Sequence, residues 1–202
     1  MLIIVGANPV VSKWSFLQVP NPGRTLQELR ERGGKLVVID PRRTETAERA
    51  DEHVFVTPGT DALLLLGLLH ALFEGGHVKL ESLAGAVNGL GEVEALVKRF
   101  APERVSGPTG VPAEVIRRLA KDFAAANGAV AYGRMGTSTQ RFGTLCAWLI
   151  NLVNLVTGNL DRPGGTVFSR GVIPLEELAE KAGAMTYGAT RSRIGSFTEV
   201  MG

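Results

Sequence analysis

Residues 35–61 read KLVVIDPRRTETAERADEHVFVTPGTD, and this stretch decides the fold. Lys35 to Ile39 is a short apolar run between the glycines Gly33-Gly34 and the stop Asp40-Pro41, the pattern of a strand buried on both faces. His53 to Val56 is a second such run, ended by Pro58-Gly59. Asp61 then opens a Leu-rich stretch, where its carboxylate favours the positive end of a helix dipole.

Outward from that core, Leu2 to Val5 is another continuous apolar run, ending at Gly6. A Pro-rich stretch from Pro9 to Pro22 follows, and Arg24 to Arg32 carries Leu26 and Leu29 at helical spacing. Two buried strands joined through a helix predict a βαβ unit. Ala62 to Phe73 predicts a buried helix, Glu92 to Phe100 a short one. Pro112 suits the first turn of a helix whose Ile116, Leu119, Ala120 and Phe123 follow i, i+3, i+4, i+7 spacing. Ala129 to Tyr132 predicts a fourth strand, Gly133 to Gly143 a polar Gly-rich loop, and Thr144 to Val156 an apolar helix. The expected fold is therefore α/β: a Rossmann-like, doubly wound, mostly parallel sheet with helices on both faces, spanning residues 1–165. An irregular C-terminal extension, 166–202, carries one expected helix from Pro174 to Ala182 and has the look of the start of a truncated substrate domain.

With 45% hydrophobic, 21% charged and 6% aromatic residues in 202, the chain is globular rather than disordered. Its net charge of +2 does not build the dense basic surface of a nucleic-acid binder. The longest apolar run, Ala62 to Phe73, falls short of the roughly 20 residues that span a bilayer. No export signal marks the N-terminus, so the expected location is the cytoplasm. Cys146 is the one cysteine, which excludes an internal disulfide and a cysteine-only metal site.

In an open parallel sheet, ligands bind beyond the carboxyl ends of the strands, where helix N-termini and free amides converge. Four loops take such positions: Gly6-Ala7-Asn8-Pro9, Asp40-Pro41-Arg42-Arg43-Thr44, Pro58-Gly59-Thr60-Asp61, and Gly133 to Gly143. Arginines and glycine amides suit phosphate, and carboxylates suit ribose hydroxyls and the N–H edge of guanine. A purine nucleotide is the ligand these residue types fit. Gly and Pro after a strand are also ordinary turn punctuation, and neither GxGxxG nor GxxxxGK[ST] occurs, so a NAD-binding or flavodoxin-like reading rests on fold analogy alone. His53, His70 and His77 share no metal-like spacing, and Cys146 reads as a small core residue.

The order of these loops resembles the molybdopterin oxidoreductases of the dimethyl sulfoxide reductase superfamily, which includes formate dehydrogenases and nitrate reductases. Val37 to Phe73 is similar to that family's IDPR-x-T-x-TA-x-x-AD and PGTD-x-ALL block, and GANP from Gly6 fits the preceding strand-end loop. Arg134 to Gly143 with LVTGNLDRPGG from Leu155 is similar to the family's G-M-G loop and TGN-x-x-RPGG sequence. The resemblance implies a domain holding one molybdopterin guanine dinucleotide (MGD) of a bis-MGD molybdenum cofactor. Gly6, Asn8, Asp40, Pro41, Arg42, Gly59 and Asp61 would lie by the guanosine and phosphates, and Met135, Gly136 and Gly143 by the pterin. The family's loop carries a Gln four positions after the Met; here Thr139 stands there and Gln140 follows, which brings Gln140 into the cofactor-binding set.

The family's iron–sulfur cysteines and molybdenum ligand precede the GANP strand, and this sequence contains neither. The expectation is thus an inactive piece of a larger oxidoreductase, partnered by that enzyme's remaining domains or by a second copy through exposed domain edges. The alternative is a stand-alone, non-enzymatic nucleotide-binding or partner-docking module of the same fold.

Overall fold

The computed structural model describes residues 1–13, 21–80 and 83–167, and beyond them Lys181 and the paired strands β5 (Arg191–Ser192) and β6 (Gly195–Ser196). The chain divides into two compact units, Met1–Val167 and Phe168–Gly202. In the second unit β5 and β6 pair antiparallel, and apart from Lys181 the helix expected at 174–182 lies outside the described residues.

The first unit is built on four parallel strands: β1 (Leu2–Val5), β2 (Leu36–Ile39), β3 (Glu52–Val54) and β4 (Val130–Gly133), in the order β3-β2-β1-β4. The register aligns Val5 with Ile39 and with Gly133, so three strands end level with one another. The chain leaves β1 toward β2 on one side and reaches β4 on the other. The boundary between β1 and β4 is therefore the switch point at which a doubly wound sheet opens a crevice.

Alternating residues of each strand feed two cores. Ile3, Val5, Val37 and Ile39 join the larger one, and Ile4, Leu36 and Val38 the smaller. The short turn α1 (Pro9–Ser12) follows β1, and α2 (Pro22–Glu31) covers the smaller core with Leu26. Asn21 caps α2 by accepting from the Arg24 amide, as the orphan donors of a helix N-terminus require. A single 3₁₀ turn, Ala47–Arg49, bridges β2 and β3. The larger face carries α3 (Asp61–Glu74), α4 (Leu90–Val97), α5 (Pro102–Thr109) and α6 (Ala113–Ala125). The turn α7 (Met135–Ser138) follows β4, and α8 (Gly143–Val156) completes the layer.

The spacing expected for α6 holds: Ile116, Leu119, Ala120 and Phe123 are its buried residues. Gly67, inside the Leu-rich α3, has a packing reason, because a Cβ there would stand 2.6 Å from Val105 Cγ2 of α5. The Gly133–Gly143 segment is tighter than a plain loop, since its start coils into α7.

Candidate functional site

The four strand-end loops gather at the carboxyl edge of the sheet, and specific bonds lock them to one another. Gly6 has φ +57, a left-handed conformation that costs other residues about 1–2 kcal/mol. Its carbonyl accepts the Gly136 amide at 2.9 Å, joining the loop after β1 to α7 across the switch point. Asn8 reaches the loop after β2: its amide nitrogen donates to Glu45 Oε2 at 2.7 Å, and its Oδ1 accepts from Thr46 Oγ1 at 2.7 Å. The buried Thr46 hydroxyl in turn accepts the Val10 amide.

Asp40 Oδ1 accepts the Arg42 amide at 2.9 Å, a local turn that fixes the DPR corner. His53 Nε2 lies 3.0 Å from the Asp40 carbonyl, and because a carbonyl only accepts, the ring donates there and props that corner from β3. Pro41 and Arg42 are exposed, and the Arg42 guanidinium makes only a 3.4 Å contact with Glu45. Gly59, at φ +80, has open space where a side chain would project.

Asp61 stands at the first turn of α3 and is 5% exposed. The Gln140 amide nitrogen donates to its Oδ2 at 2.6 Å across 79 residues of chain. Burial pushes the Asp61 carboxyl above its ordinary value, the charge of Asp40 adds to the rise, and the bond from Gln140 opposes it. The charge of Asp40 thus reaches Asp61 at this edge. Gln140 Oε1 is buried with no hydrogen-bond partner.

The resemblance groups Gln140 with the pterin-side residues, yet its side chain joins Asp61 of the guanosine group. Met135 and Gly136 are exposed beside it, and Gly143 is buried. A Cβ on Gly143 would stand 2.0 Å from the Ser138 carbonyl, so this glycine is required by the packing of α7 on α8. Phe142, Leu145 and Trp148 leave an apolar strip exposed alongside α8.

Cys146 is fully buried, and burial, with the charge of Asp61 adding to it, raises its thiol to about 11. Sequence reasoning missed Thr46 and His53 as props of the site. The pattern of one strand cannot show which neighbouring loop its side chains will meet. A groove of about 980 Å³ lies at the opposite end of the sheet, lined by Leu2, Gly33, Lys35, Gly128 and Val130, and contains none of these loops. We place the candidate site by its chemistry at the carboxyl edge. Among the described residues no group of three or more His, Cys, Asp and Glu could hold a metal ion, and no helix is long and apolar enough to cross a membrane.

A four-stranded parallel sheet with this switch point and an acidic, glycine-lined carboxyl edge defines an open α/β domain of the doubly wound kind. Residues 1–199 match the molybdopterin oxidoreductase family, and the chain belongs to it. It is 31% identical over 188 residues to the alpha subunit of formate dehydrogenase 1 of Methanococcus maripaludis, covering 93% of this chain and 26% of that protein. It is 29% identical to formate dehydrogenase H of Escherichia coli, covering 94% of this chain and 25% of that one. Acetylene hydratase from Pelobacter acetylenicus has the same fold, with a TM-score of 0.69 and 27% identity, over 78% of this chain and 21% of that one. The chain spans about a quarter of the length of these proteins.

Proposed function

We propose that this chain holds the guanosine diphosphate arm of one MGD in a bis-MGD molybdenum cofactor, as one part of a larger oxidoreductase. The observation that carries the reading is the buried Asp61 at the head of α3, tied to Gln140 and sensing Asp40, where three level strands end. The residues present fit the nucleotide. An acidic group can accept from the guanine N–H edge, Gly6 and Gly59 let backbone approach phosphate closely, and the Gln140 acceptor lacks a donor. They do not supply a ligand set for the metal among the described residues.

When bound, such a cofactor supplies two-electron redox chemistry at molybdenum. The chain's own part is placement. Asp61 accepts from the base, with Asp40, held by His53 and its own turn, beside it. The Arg42 guanidinium, exposed and only loosely paired, is free to turn to phosphate. Gly6 and Gly136 hold the two sides of the crevice at fixed spacing. The iron–sulfur cluster and the molybdenum ligand belong, on this reading, to other parts of the enzyme, which are its partners, and the cytoplasm is its expected compartment. Alone, the chain binds without catalysing.

Titration calorimetry of the 202-residue chain with GDP and ADP tests the reading. GDP should bind and ADP bind much more weakly, and Asp61→Ala should abolish the difference. Equal binding of ADP would end it.

A further inference from the structure

Among the described residues two buried side-chain atoms lack a hydrogen-bond partner, His53 Nδ1 and Gln140 Oε1, and of the two only Gln140 is bonded through its own side chain to Asp61. Its orientation is fixed by chemistry: a carboxylate offers only lone pairs, so the amide nitrogen must face Asp61, and the 2.6 Å bond turns Oε1 away from it. Asp61 and Gln140 together thus present a row of acceptors. A buried acceptor left unpaired costs free energy, and a ligand bearing matching donors recovers it.

Purine bases differ along this edge. Guanine offers N1–H and the two hydrogens of its 2-amino group, hypoxanthine offers N1–H alone, xanthine has an oxygen at position 2, and adenine presents an acceptor at N1. A row with one carboxylate and one further amide oxygen matches three donors. We infer that Gln140 is a specificity-determining residue of the site, its Oε1 accepting from the 2-amino group of guanine while Asp61 accepts from N1–H. Its neighbours Thr139 and Arg141 are exposed, which puts this loop at the surface, where a ligand arrives. The inference rests on the guanine-nucleotide reading above and goes beyond it by assigning the 2-amino group to one side chain.

Calorimetry of the 202-residue chain with GDP, IDP, XDP and ADP separates the two. The expected result is binding of GDP about tenfold tighter than IDP, with XDP and ADP weaker still. Gln140→Leu should bring GDP down to the level of IDP, with circular dichroism confirming the fold. The GDP-to-IDP ratio of the unaltered chain needs no variant, so an unfolded Gln140→Leu leaves the inference testable. Equal binding of GDP and IDP with ADP still rejected would overturn the role of Gln140 and leave the guanine reading standing. ADP binding as well as GDP, or no measurable GDP binding, would remove both.

Discussion

Gly136 donates its amide to the Gly6 carbonyl at 2.9 Å, and neither residue can carry a side chain. A Cβ on Gly6 would stand 3.0 Å from the Gly136 and Thr137 backbone, and one on Gly136 would stand 2.8 Å from Gly6. The contact is backbone on backbone, with no flexible atom to give way. It sits at the switch point between β1 and β4, so it fixes the width of the crevice as well as the local fold.

Gly6→Ala should therefore destabilise the chain by about 2–4 kcal/mol, combining left-handed strain with overpacking. Gly136→Ala meets the same backbone without the positive φ and should cost less, about 1–3 kcal/mol. Urea midpoints of the two variants test the order. Gly59→Ala is the control: it has the strain of φ +80 but open space, and should cost only about 1 kcal/mol.

The strands were legible to within a residue or two because each falls in a short stretch closed by Gly, Asp-Pro or Pro-Gly; burial on both faces holds for β2, whereas β3 keeps Glu52 and His53 half-buried with Phe55 exposed beyond it. The i, i+3, i+4 pattern of α6 was legible for a similar reason. The helix α5 was not, because Gly107 and Pro108 lie inside it and no apolar period marks it; Pro102 starts it and Val105 fits the space over Gly67. The site residues were nameable from their loops and from the family's motifs. Their pairing was not. The bond from Gln140 to Asp61 spans 79 residues, and no local pattern encodes which side chain of the Gly133–Gly143 loop will turn to an acid so distant in sequence.

Asn154 is a second long-range pairing with a measurable consequence. From α8 its side chain accepts the Ala131 amide at 2.8 Å and donates to the Ala131 carbonyl at 2.9 Å. It thereby pairs backbone groups of β4 that β1 does not reach, blunting that edge of the sheet. Asn154→Leu leaves both groups buried and unpaired and should cost about 2–4 kcal/mol in chemical denaturation. Hydrogen exchange at the Ala131 amide should accelerate more than at Ile4 in the sheet interior. Equal acceleration at both would mean that Asn154 contributes only to global stability.

Cys146 gives a chemical readout of the same packing. A thiol with no exposed surface and a pKa raised to about 11 carries almost no thiolate at neutral pH. The native chain should leave it unmodified by a disulfide reagent such as DTNB, while the chain in denaturant should react at one site, since it has one cysteine. Rapid labelling of the native chain would show that α8 does not pack as described.

Asp61 carries the last prediction, in which stability and binding move in opposite directions. Its carboxyl titrates higher in the folded chain than in the unfolded one, so between the two values the folded state binds more protons. Stability is then fully present below the ordinary carboxylate value and declines as pH rises through the raised one. Asp61→Asn keeps an acceptor for Gln140 and removes the buried charge, so it should flatten this decline and stabilise the chain at about pH 7.5 by ~1 kcal/mol, the scale on which replacements at functional sites commonly stabilise. The same substitution replaces an acceptor-only group by one that also presents N–H donors to a base edge, so GDP binding should fall. Urea midpoints between about pH 4 and about pH 8, set beside calorimetry on the same variant, decide the matter. A variant that loses stability at neutral pH would show that the Asp61 charge is compensated by its neighbours rather than held in readiness for a ligand.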